Sequence, residues 1–390
     1  MSIFHRVPCA SASLREISFS YVIKILIFCL FLICPLLHAD QSNQAAALAA
    51  RLSDSDLAAQ VLLTGIDGRQ SLTTAMKSIL ERLPAGGIML FRYNLDSSKA
   101  QVKSLLSSCA SLVVDKNGIP PFMAVDHEGG LVHRFAAVAE RLPSAFSFWE
   151  LAQREGREAA LENAKTLYTR SAKEIMELGI NMVLGPVAEI LNEDNRVFLE
   201  TRSYGPDPDF VQAAASVYIK SMDSAGIASA VKHFPGNTNA DPHTGASVLK
   251  NGRVELNEMV IPFAGIIREL DPSALMLSHV MVPAIDSNRN ASLSRTVIEN
   301  WLRRDLGFKG IIIADDFSMG AVSGSGLDHA AATVEALNAG VDMIMVWPHN
   351  IVSVHSSILK ALSEGRLSRE RLLEAAERII KEKIRYGLIN

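Results

Sequence analysis

The sequence predicts an α/β protein built as one closed (β/α)8 barrel. Eight short, uninterrupted apolar runs alternate with helix-like stretches, and five of these runs lead directly into charged or polar residues. Uninterrupted apolar runs are typical of strands covered on both faces, and their alternation with helices is typical of a parallel sheet. Active sites of such barrels lie at the carboxyl ends of the strands, so the polar endings predict one catalytic face.

The first 39 residues differ from the rest of the chain. Three basic residues precede an uncharged apolar run over residues 25–37, which ends at Leu37-His38-Ala39, a sequence that resembles a small-residue cleavage site. This run is shorter than the about 20 residues of a membrane-spanning helix. We therefore expect 1–39 to be a secretory signal peptide and 40–390 to be an exported, periplasmic or secreted protein. An uncleaved anchor and lipoprotein attachment at Cys34 are less favoured alternatives.

Composition limits the class of protein. The chain has 390 residues, of which 48% are hydrophobic and 21% charged, and its formal net charge is −4. These values are typical of a globular protein with a full-size core, and no Lys/Arg-rich run predicts nucleic-acid binding. Only Cys109 of the four cysteines lies beyond the leader, so we expect neither an internal disulfide nor a cysteine-based metal site in the mature chain.

The elements follow in order after the leader. Ala, Leu and Arg residues predict a helix over 45–59. Eight apolar runs then predict the strands of a TIM-type barrel: 61–64, 87–91, 122–125, 182–184, 228–231, 274–277, 311–314 and 341–346. No composition shift or Pro/Gly/Ser linker interrupts them, so residues 40–390 are expected to form a single domain.

The polar strand endings carry the candidate chemistry. They are Asp126-His127-Glu128, Glu189, Lys232-His233, Ser278-His279 and Asp315-Asp316. Asp315 is the candidate nucleophile, because a carboxylate fixed at a strand end can attack an electrophilic carbon. The alternative, that both aspartates only cap or begin a helix, is stronger for Asp316.

A loop histidine is the candidate general acid and base. In Asp241-Pro242-His243 the proline favours an extended backbone, from which Asp241 could orient the imidazole of His243. A surface histidine without function is the alternative interpretation. The Lys232-His233-Phe234-Pro235-Gly236 sequence before it and the complementary Asp315 favour the catalytic one.

Four basic side chains could donate hydrogen bonds to sugar hydroxyls: Arg134, Arg202, Lys232 and His233. Structural ion pairs with the neighbouring carboxylates are the alternative. No cofactor is expected. A catalytic metal is not expected either, because the first strand ends in Thr64-Gly65-Ile66-Asp67 rather than the His-x-His typical of metal-dependent barrel hydrolases.

Taken together, these motifs resemble glycoside hydrolase family 3, in particular its single-domain bacterial β-N-acetylglucosaminidases. The resemblance begins near Leu57 and rests on ordered motifs: Gly86-Gly87-Ile88-Met89-Leu90-Phe91, Asp126-His127-Glu128-Gly129-Gly130 with Arg134, Arg202-Ser203-Tyr204-Gly205, Lys232-His233-Phe234-Pro235-Gly236, and Leu306-Gly307-Phe308-Lys309-Gly310 before Asp315. It implies a retaining β-N-acetylhexosaminidase acting on peptidoglycan fragments or chitin-type oligosaccharides.

The resemblance also implies individual roles. Asp315 would be the nucleophile, and His243 with Asp241 the acid/base pair. Asp126, Arg134, Arg202, Lys232 and His233 would hold the N-acetylglucosamine ring. Using a histidine in place of the second carboxylate of retaining enzymes is implied by the family alone.

Three departures from the family pattern bear on these expectations. The loop before Asp241 is about two residues shorter than usual, with Pro242 in place of the usual serine. His127 and Leu131 replace the usual Gln and Arg. The leader also departs from the many cytoplasmic relatives.

Alternatives within and outside the family remain open. A phosphorylase would use phosphate in place of water, because a neutral imidazole tolerates an anionic acceptor better than a carboxylate would. A β-glucosidase and a non-catalytic saccharide receptor are weaker alternatives. The expected partner in every case is a carbohydrate, and the protein is expected to be a monomer.

Overall fold

Eight parallel strands close into a barrel in the computed structural model, which describes residues 40–95, 98–135, 138–241, 245, 247–315, 317 and 327–389. The barrel strands are β1 (Leu62–Gly65), β2 (Gly87–Leu90), β3 (Phe122–Gly129), β5 (Met182–Val187), β6 (Ala228–Phe234), β7 (Ala274–Leu277), β10 (Ile311–Ala314) and β11 (Met343–Val346). Their order is β2-β1-β11-β10-β7-β6-β5-β3, and pairing of β2 with β3 closes the ring. The predicted barrel is confirmed, with a strand at each of the eight apolar runs.

Helices surround the described barrel. Numbered along the chain, they are α1 (40–50), α2 (Asp54–Gln60), α3 (Thr74–Arg82), α4 (Arg92–Leu95), α5 (Lys99–Asn117), α6 (Ala145–Glu155), α7 (Arg157–Met176), α8 (Arg196–Leu199), α9 (Pro208–Asp223), α10 (Arg253–Met259), α11 (Ile261–Leu270), the π-helix α12 (Thr296–Asp305), α13 (His329–Ala339), α14 (Ile351–Ser363) and α15 (Arg369–Arg385). None of the described helices is long and apolar enough to cross a membrane.

Burial explains why the strands are apolar without alternation. Every residue of β10 is buried, because one face of the strand packs inside the barrel and the other lies under the helices. The charged residues of the barrel strands, such as Asp126 and Lys232, stand towards the carboxyl ends of their strands and are paired. This pattern leaves the chemistry to the residues that follow each strand.

The continuous helix expected over 45–59 is wrong. Helix α1 ends at residue 50 and α2 begins at Asp54, after a break at Ser53. The Ser53 hydroxyl accepts a hydrogen bond from the Asp56 amide at 3.1 Å, so it caps a new helix rather than continuing the old one. Propensity predicts helix on both sides of this cap but does not locate the break.

Three short strands lie outside the barrel and were not predicted: β4 (Val132–His133), β8 (Met281–Val282) and β9 (Asp286–Asn290). Strand β3 continues beyond the barrel and pairs with β4 as an antiparallel hairpin. Gly129 in its turn has φ +91°, and a Cβ there would lie 2.2 Å from the Pro143 carbonyl oxygen. Only glycine fits this position, and the hairpin places the residues after β3 above the barrel.

A fully buried carboxylate joins the elements at the amino end of the barrel. Asp342, just before β11, accepts hydrogen bonds from Arg371 and Arg378 at 2.9 Å, from Arg303, and from the Ile312 amide at 3.0 Å. Burial alone would raise its pKa, but the three guanidinium groups hold the pKa below the ordinary value. The cluster ties α12 and α15 to the bottom of β10 and β11.

Candidate active site

A cavity of about 270 Å³ opens at the carboxyl ends of the strands. It is lined by residues of the barrel strands and of the segments that follow them: Phe91, Asp126, Glu128, Val132, Arg134, Leu184, Phe198, Arg202, Lys232, His233, Asn237, Met276, Ser278, His279, Asp315, Met345 and Trp347. The sequence predicted that polar strand endings would meet at one face. Four of the five endings line this cavity, and the fifth, Glu189, bonds to a residue that does.

Lys232 is the centre of the charged part of the cavity. Its ammonium lies 2.6 Å from Asp126 Oδ1 and 2.7 Å from Glu128 Oε1. Arg202 binds both oxygens of Glu128 through a fork of two hydrogen bonds, at 2.8 and 2.9 Å. Arg134 completes the cluster at 3.5 Å from Asp126 Oδ2. These charges come from β3, β6 and the segments after β4 and α8, so only the tertiary fold assembles them.

The cluster keeps its groups ionised. Burial would raise the pKa of Asp126, but Lys232 and Arg134 outweigh that effect and hold the pKa below its ordinary value. Glu128 behaves in the same way, with Lys232 and Arg202 lowering its pKa strongly. Burial would lower the pKa of Lys232, yet the two carboxylates keep it above its usual value. The site therefore presents fixed charges and not mobile protons.

Glu189 orients His233. The carboxylate is buried and lies 2.7 Å from His233 Nδ1, and it also accepts from the Asn237 backbone amide at 2.6 Å and the Asn237 side-chain amide at 2.9 Å. A carboxylate at Nδ1 holds the proton on that nitrogen and directs Nε2 the other way. This contact is the ion pair with a neighbouring carboxylate that the sequence offered as the structural alternative for His233.

Asp315 follows β10 directly and lines the cavity. Its neighbour Asp316 lies outside the described residues, as do Pro242 and His243. Asp241 is described and exposed in the loop after β6. The structure thus brings the candidate nucleophile into the same cavity as the charged cluster, while the role of His243 stays a prediction.

An aromatic wall, which the sequence did not predict, forms another side of the cavity. Phe91 follows β2 and Trp347 follows β11, and their ring centroids are 4.7 Å apart with planes inclined by only 10°. Tyr93 stacks on Phe91 at 6.0 Å and 8°. The available signal was that both cavity-lining rings immediately follow a barrel strand, as Asp315 does.

Comparison with known proteins then identifies the family. Residues 56–381 match the glycosyl hydrolase family 3 N terminal domain. The chain belongs to glycosyl hydrolase family 3. The resemblance drawn from the sequence motifs is confirmed.

Relatives in family 3 carry related names. The chain is 36% identical over 290 residues to the beta-hexosaminidase of Methylococcus capsulatus, covering 73% of this chain and 81% of that protein. It is 29% identical over 344 residues to beta-hexosaminidase A of Pseudoalteromonas piscicida, covering 81% of this chain but only 56% of the relative. The family 3 beta-N-acetylglucosaminidase structure from Paenibacillus sp. superposes with a TM-score of 0.80 at 27% identity, covering 86% of this chain and 63% of that one.

The family 3 residues singled out for sugar binding all line the cavity: Asp126, Arg134, Arg202, Lys232 and His233. Asp126 pairs with Lys232 and Arg134, and each of the four basic side chains is ion-paired or hydrogen-bonded to a carboxylate, as the structural alternative expected. The two interpretations are therefore compatible, and ligand contact by these side chains stays a prediction. In the described part of the family 3 domain, no group of three or more His, Cys, Asp or Glu could hold a metal ion.

His127 and His279, whose roles the sequence left open, differ in position. His279 lines the cavity and its Nδ1 lies 2.7 Å from the Ser292 hydroxyl. His127 is fully buried with Nε2 2.7 Å from the Ser171 hydroxyl, and its ring centroid lies 5.6 Å from that of His133. Burial, with a smaller contribution from His133, lowers the pKa of His127 to about 3. His127 is therefore a neutral residue of the buried core near neutral pH.

Proposed function

We propose that this protein is a retaining β-N-acetylhexosaminidase that removes terminal β-linked N-acetylglucosamine from peptidoglycan fragments or chitin-type oligosaccharides. The observation that carries the proposal is the single cavity that contains both Asp315 and the charged cluster around Lys232. Membership of family 3 and the names of the relatives support it. A preorganised cluster beside a strand-end carboxylate is what glycosyl transfer requires, since one part must hold the sugar and another must attack it.

The reaction has two steps. In the first, the Asp315 carboxylate attacks the anomeric carbon while His243 donates a proton to the glycosidic oxygen, so the leaving sugar departs as an alcohol. In the second, His243 takes a proton from water, whose oxygen attacks the anomeric carbon and releases Asp315. Asp241 is proposed to orient His243 in both steps. The β-configuration is retained after two inversions.

The charged cluster is proposed to hold the hydroxyl groups of the sugar. Asp126 accepts from hydroxyls, and Arg134, Arg202, Lys232 and His233 donate to them. Because these groups are already fixed by one another, little reorganisation accompanies binding. Glu189 would keep His233 in the orientation that presents Nε2 to the ligand.

We also propose that the enzyme acts after export, with residues 1–39 removed as a signal peptide, and that the mature chain is a monomer. Mass spectrometry of the protein recovered from the exporting cell tests the cleavage after Ala39. Light scattering tests the monomer.

The experiment for the activity is release of nitrophenol from 4-nitrophenyl β-N-acetylglucosaminide by residues 40–390. The wild type is compared with Asp315→Asn, His243→Ala and the control Asp115→Asn, which makes the same charge change on the exposed face of α5. Loss of turnover in the first two variants alone supports the proposal. An inactive wild type, or an Asp315→Asn variant as active as the control, refutes it.

Two further measurements distinguish the proposed hydrolase from a phosphorylase and from a β-glucosidase. Sugar phosphate formed only in the presence of inorganic phosphate would identify a phosphorylase. Equal turnover of the aryl glucoside and the aryl N-acetylglucosaminide would identify a broader β-glucosidase. Proton NMR of the first product, which must be the β-anomer, tests retention directly.

A further inference from the structure

The aromatic wall consists of Trp347, Phe91 and Tyr93, whose rings stack with nearly parallel planes. The ring of Phe91 lies 4.7 Å from that of Trp347 and 6.0 Å from that of Tyr93, with planes inclined by 10° and 8°. Trp347 and Phe91 line the cavity, together with Met345 of β11. This side of the cavity is therefore flat and apolar, whereas the side around Lys232 is charged.

Hydrogen bonds and close packing fix this wall in place. The buried Asn94 side chain accepts from the Phe91 amide at 2.9 Å and donates to the Gly68 carbonyl at 2.7 Å. Gly65 at the end of β1 leaves the space for the wall, since a Cβ there would lie 3.0 Å from the Phe91 ring. A rigid aromatic surface of this kind offers a preformed binding face at low entropic cost.

The strand order fixes where the wall and the charged cluster lie relative to Asp315. Asp315 follows β10, and β3, which carries Asp126, is four strands away from β10 in either direction around the ring. One half of the ring between them contains β11, β1 and β2, which carry the wall. The other half contains β7, β6 and β5, with Lys232 and His233 on β6. A pyranose lying across the mouth with C1 at Asp315 therefore has C4 near β3 and one long edge toward each half.

The attack on C1 decides which face of the sugar ring lies toward the barrel. Leu184 of β5 and Met276 of β7 line the cavity from within the barrel, so a leaving saccharide chain must extend toward the mouth. Asp315 attacks the face opposite the leaving group, and this face therefore lies on the barrel side. Seen from the mouth, the carbons of a β-linked D-sugar in this position are numbered clockwise.

The handedness of the barrel then decides which edge of the sugar faces the wall. Right-handed βαβ crossovers make successive strands run anticlockwise when they are seen from the mouth. Clockwise from Asp315, C2 and C3 thus lie beside β7 and β6, while C5 and its C6 hydroxymethyl group lie beside β11, β1 and β2. Chemical complementarity agrees, because the C2–C3 edge has an amide and a hydroxyl group to meet Lys232 and His233.

The C5–C6 edge exposes C–H groups, and pockets pair such apolar surface with aromatic side chains. We propose that Trp347, supported by Phe91, packs on C5 and C6 of the cleaved sugar and makes the enzyme selective for hexosamines over sugars that lack C6. This inference rests on the proposed hydrolysis, since Asp315 marks the position of the anomeric carbon. It adds a specificity determinant that is separate from the acid/base pair, the nucleophile and the charged cluster.

The test compares three 4-nitrophenyl β-glycosides. They are those of N-acetylglucosamine, of its analogue without C6, the 2-acetamido-2-deoxyxyloside, and of its 4-deoxy analogue. The measured quantity is kcat/KM for each substrate in the wild type and in Trp347→Ala. In the wild type, loss of C6 should lower kcat/KM by about 10- to 100-fold. In Trp347→Ala this preference should be about 10-fold smaller, because the residue that contacts C6 is already truncated.

The 4-deoxy substrate is the internal control, because C4 faces β3 and not the wall. Its loss of kcat/KM relative to the parent substrate should be the same in the wild type and in Trp347→Ala. Trp347→Phe keeps an aromatic ring and should keep most of the preference for C6. Trp149→Phe is the matched control variant, because Trp149 packs on Phe210 outside the cavity and should leave both ratios unchanged. Melting temperatures of all variants establish that folded enzymes are compared.

The outcomes distinguish this inference from the function on which it rests. A wild type that hydrolyses the N-acetylglucosaminide, with the same preference for C6 in Trp347→Ala, overturns the inference and leaves the proposed function standing. A change in the 4-deoxy ratio instead of the C6 ratio also overturns it, since the sugar would then lie in another orientation. A wild type that does not hydrolyse the N-acetylglucosaminide overturns the proposed function and the inference with it.

Discussion

The two ends of the barrel each contain a buried ion cluster, and the clusters differ in how completely their charges are paired. At the amino end, the Asp342 carboxylate is fully buried and bonded to Arg303, Arg371, Arg378 and the Ile312 amide. Every oxygen of that carboxylate has at least two partners. The carboxylate has no capacity left for a ligand, so its contribution is to the stability of the fold.

The carboxyl-end cluster is complete at its centre and open at its edge. Lys232 is almost fully buried between Asp126 and Glu128. Arg134, in contrast, reaches Asp126 only at 3.5 Å, and these two side chains are 31% and 19% exposed. The exposed edge faces the cavity, where hydroxyl groups could replace the long contact. Incomplete pairing beside a cavity therefore marks the functional end of the barrel, whereas complete pairing marks the structural end.

The largest expected effect breaks this comparison at the functional end. Asp315→Asn should lower kcat by about 10⁴-fold or more, because removal of a nucleophile abolishes the covalent route. The melting temperature should stay within about 2 °C of the wild type, since the substitution keeps the shape of the side chain. Steady-state kinetics and calorimetry on the same preparation check both parts. A large fall in melting temperature would mean that Asp315 also supports the fold.

The next effect concerns the structural end. Asp342→Asn should lower the free energy of unfolding by about 3–5 kcal/mol, because it removes the buried counter-charge of Arg303 and leaves Arg371 and Arg378 with only the more exposed Glu374. The kcat of the folded enzyme should be unchanged. Urea denaturation measures the free energy of unfolding. Asp305→Asn is the control, since the exposed ion pair of Asp305 with Arg304 should contribute less than about 1 kcal/mol. Equal losses of unfolding free energy in Asp342→Asn and Asp305→Asn would contradict the structural role assigned to Asp342.

A smaller effect sharpens the comparison within the functional end. Glu189→Gln should reduce kcat/KM by about 10²-fold through misplacement of His233. The carboxylate accepts hydrogen bonds at both oxygens, whereas the amide has one accepting oxygen and one donating nitrogen, so it cannot keep all the contacts to His233 and Asn237. His233→Gln in the same background should add little further loss, since the two residues act as a unit. A double-mutant cycle measured by kcat/KM checks this coupling. Fully additive losses would show that Glu189 acts independently of His233.

The smallest effect depends on pH and concerns His127, which lies beneath the functional end. Its pKa falls from the ordinary 6.5 to about 3 on folding. The unfolded chain therefore binds the proton first, so stability is retained above pH 6.5 and is lost as pH falls from 6.5 toward 3. This loss should reach about 2 kcal/mol by pH 5. His127→Gln should remove that part of the pH dependence.

Denaturation at pH 7 and pH 5 measures the difference. His349→Gln, a substitution of an exposed histidine, is the control and should retain the wild-type pH dependence. The carboxylates with lowered pKa values, Asp126, Glu128 and Asp342, lose their stabilising contribution only as pH falls through their lower folded pKa values. If the stability of His127→Gln depended on pH as that of the wild type does, the lowered pKa of His127 would not be the source of this dependence.

The barrel was predictable from the apolar runs of the chain, whereas the breaks within local elements were not. Eight buried strands were predictable because each is an uninterrupted apolar run, a pattern that both faces of a parallel strand require. The helix over 45–59 was predicted without its break, because the Ser53 cap competes with high helix propensity on both sides. The β3–β4 hairpin was missed because β4 has only two residues and no periodicity to detect.

The sequence by itself determined which strand each candidate residue follows, and therefore the end of the barrel at which that residue lies. A residue after a parallel strand must lie at the carboxyl end, wherever that strand is placed, so Asp126, Lys232 and Asp315 were assigned to one face. The tertiary structure alone decided which of them touch. Lys232 and Asp126 are 106 positions apart in the chain and meet at 2.6 Å, because closure of the barrel sets such contacts and no local pattern encodes them.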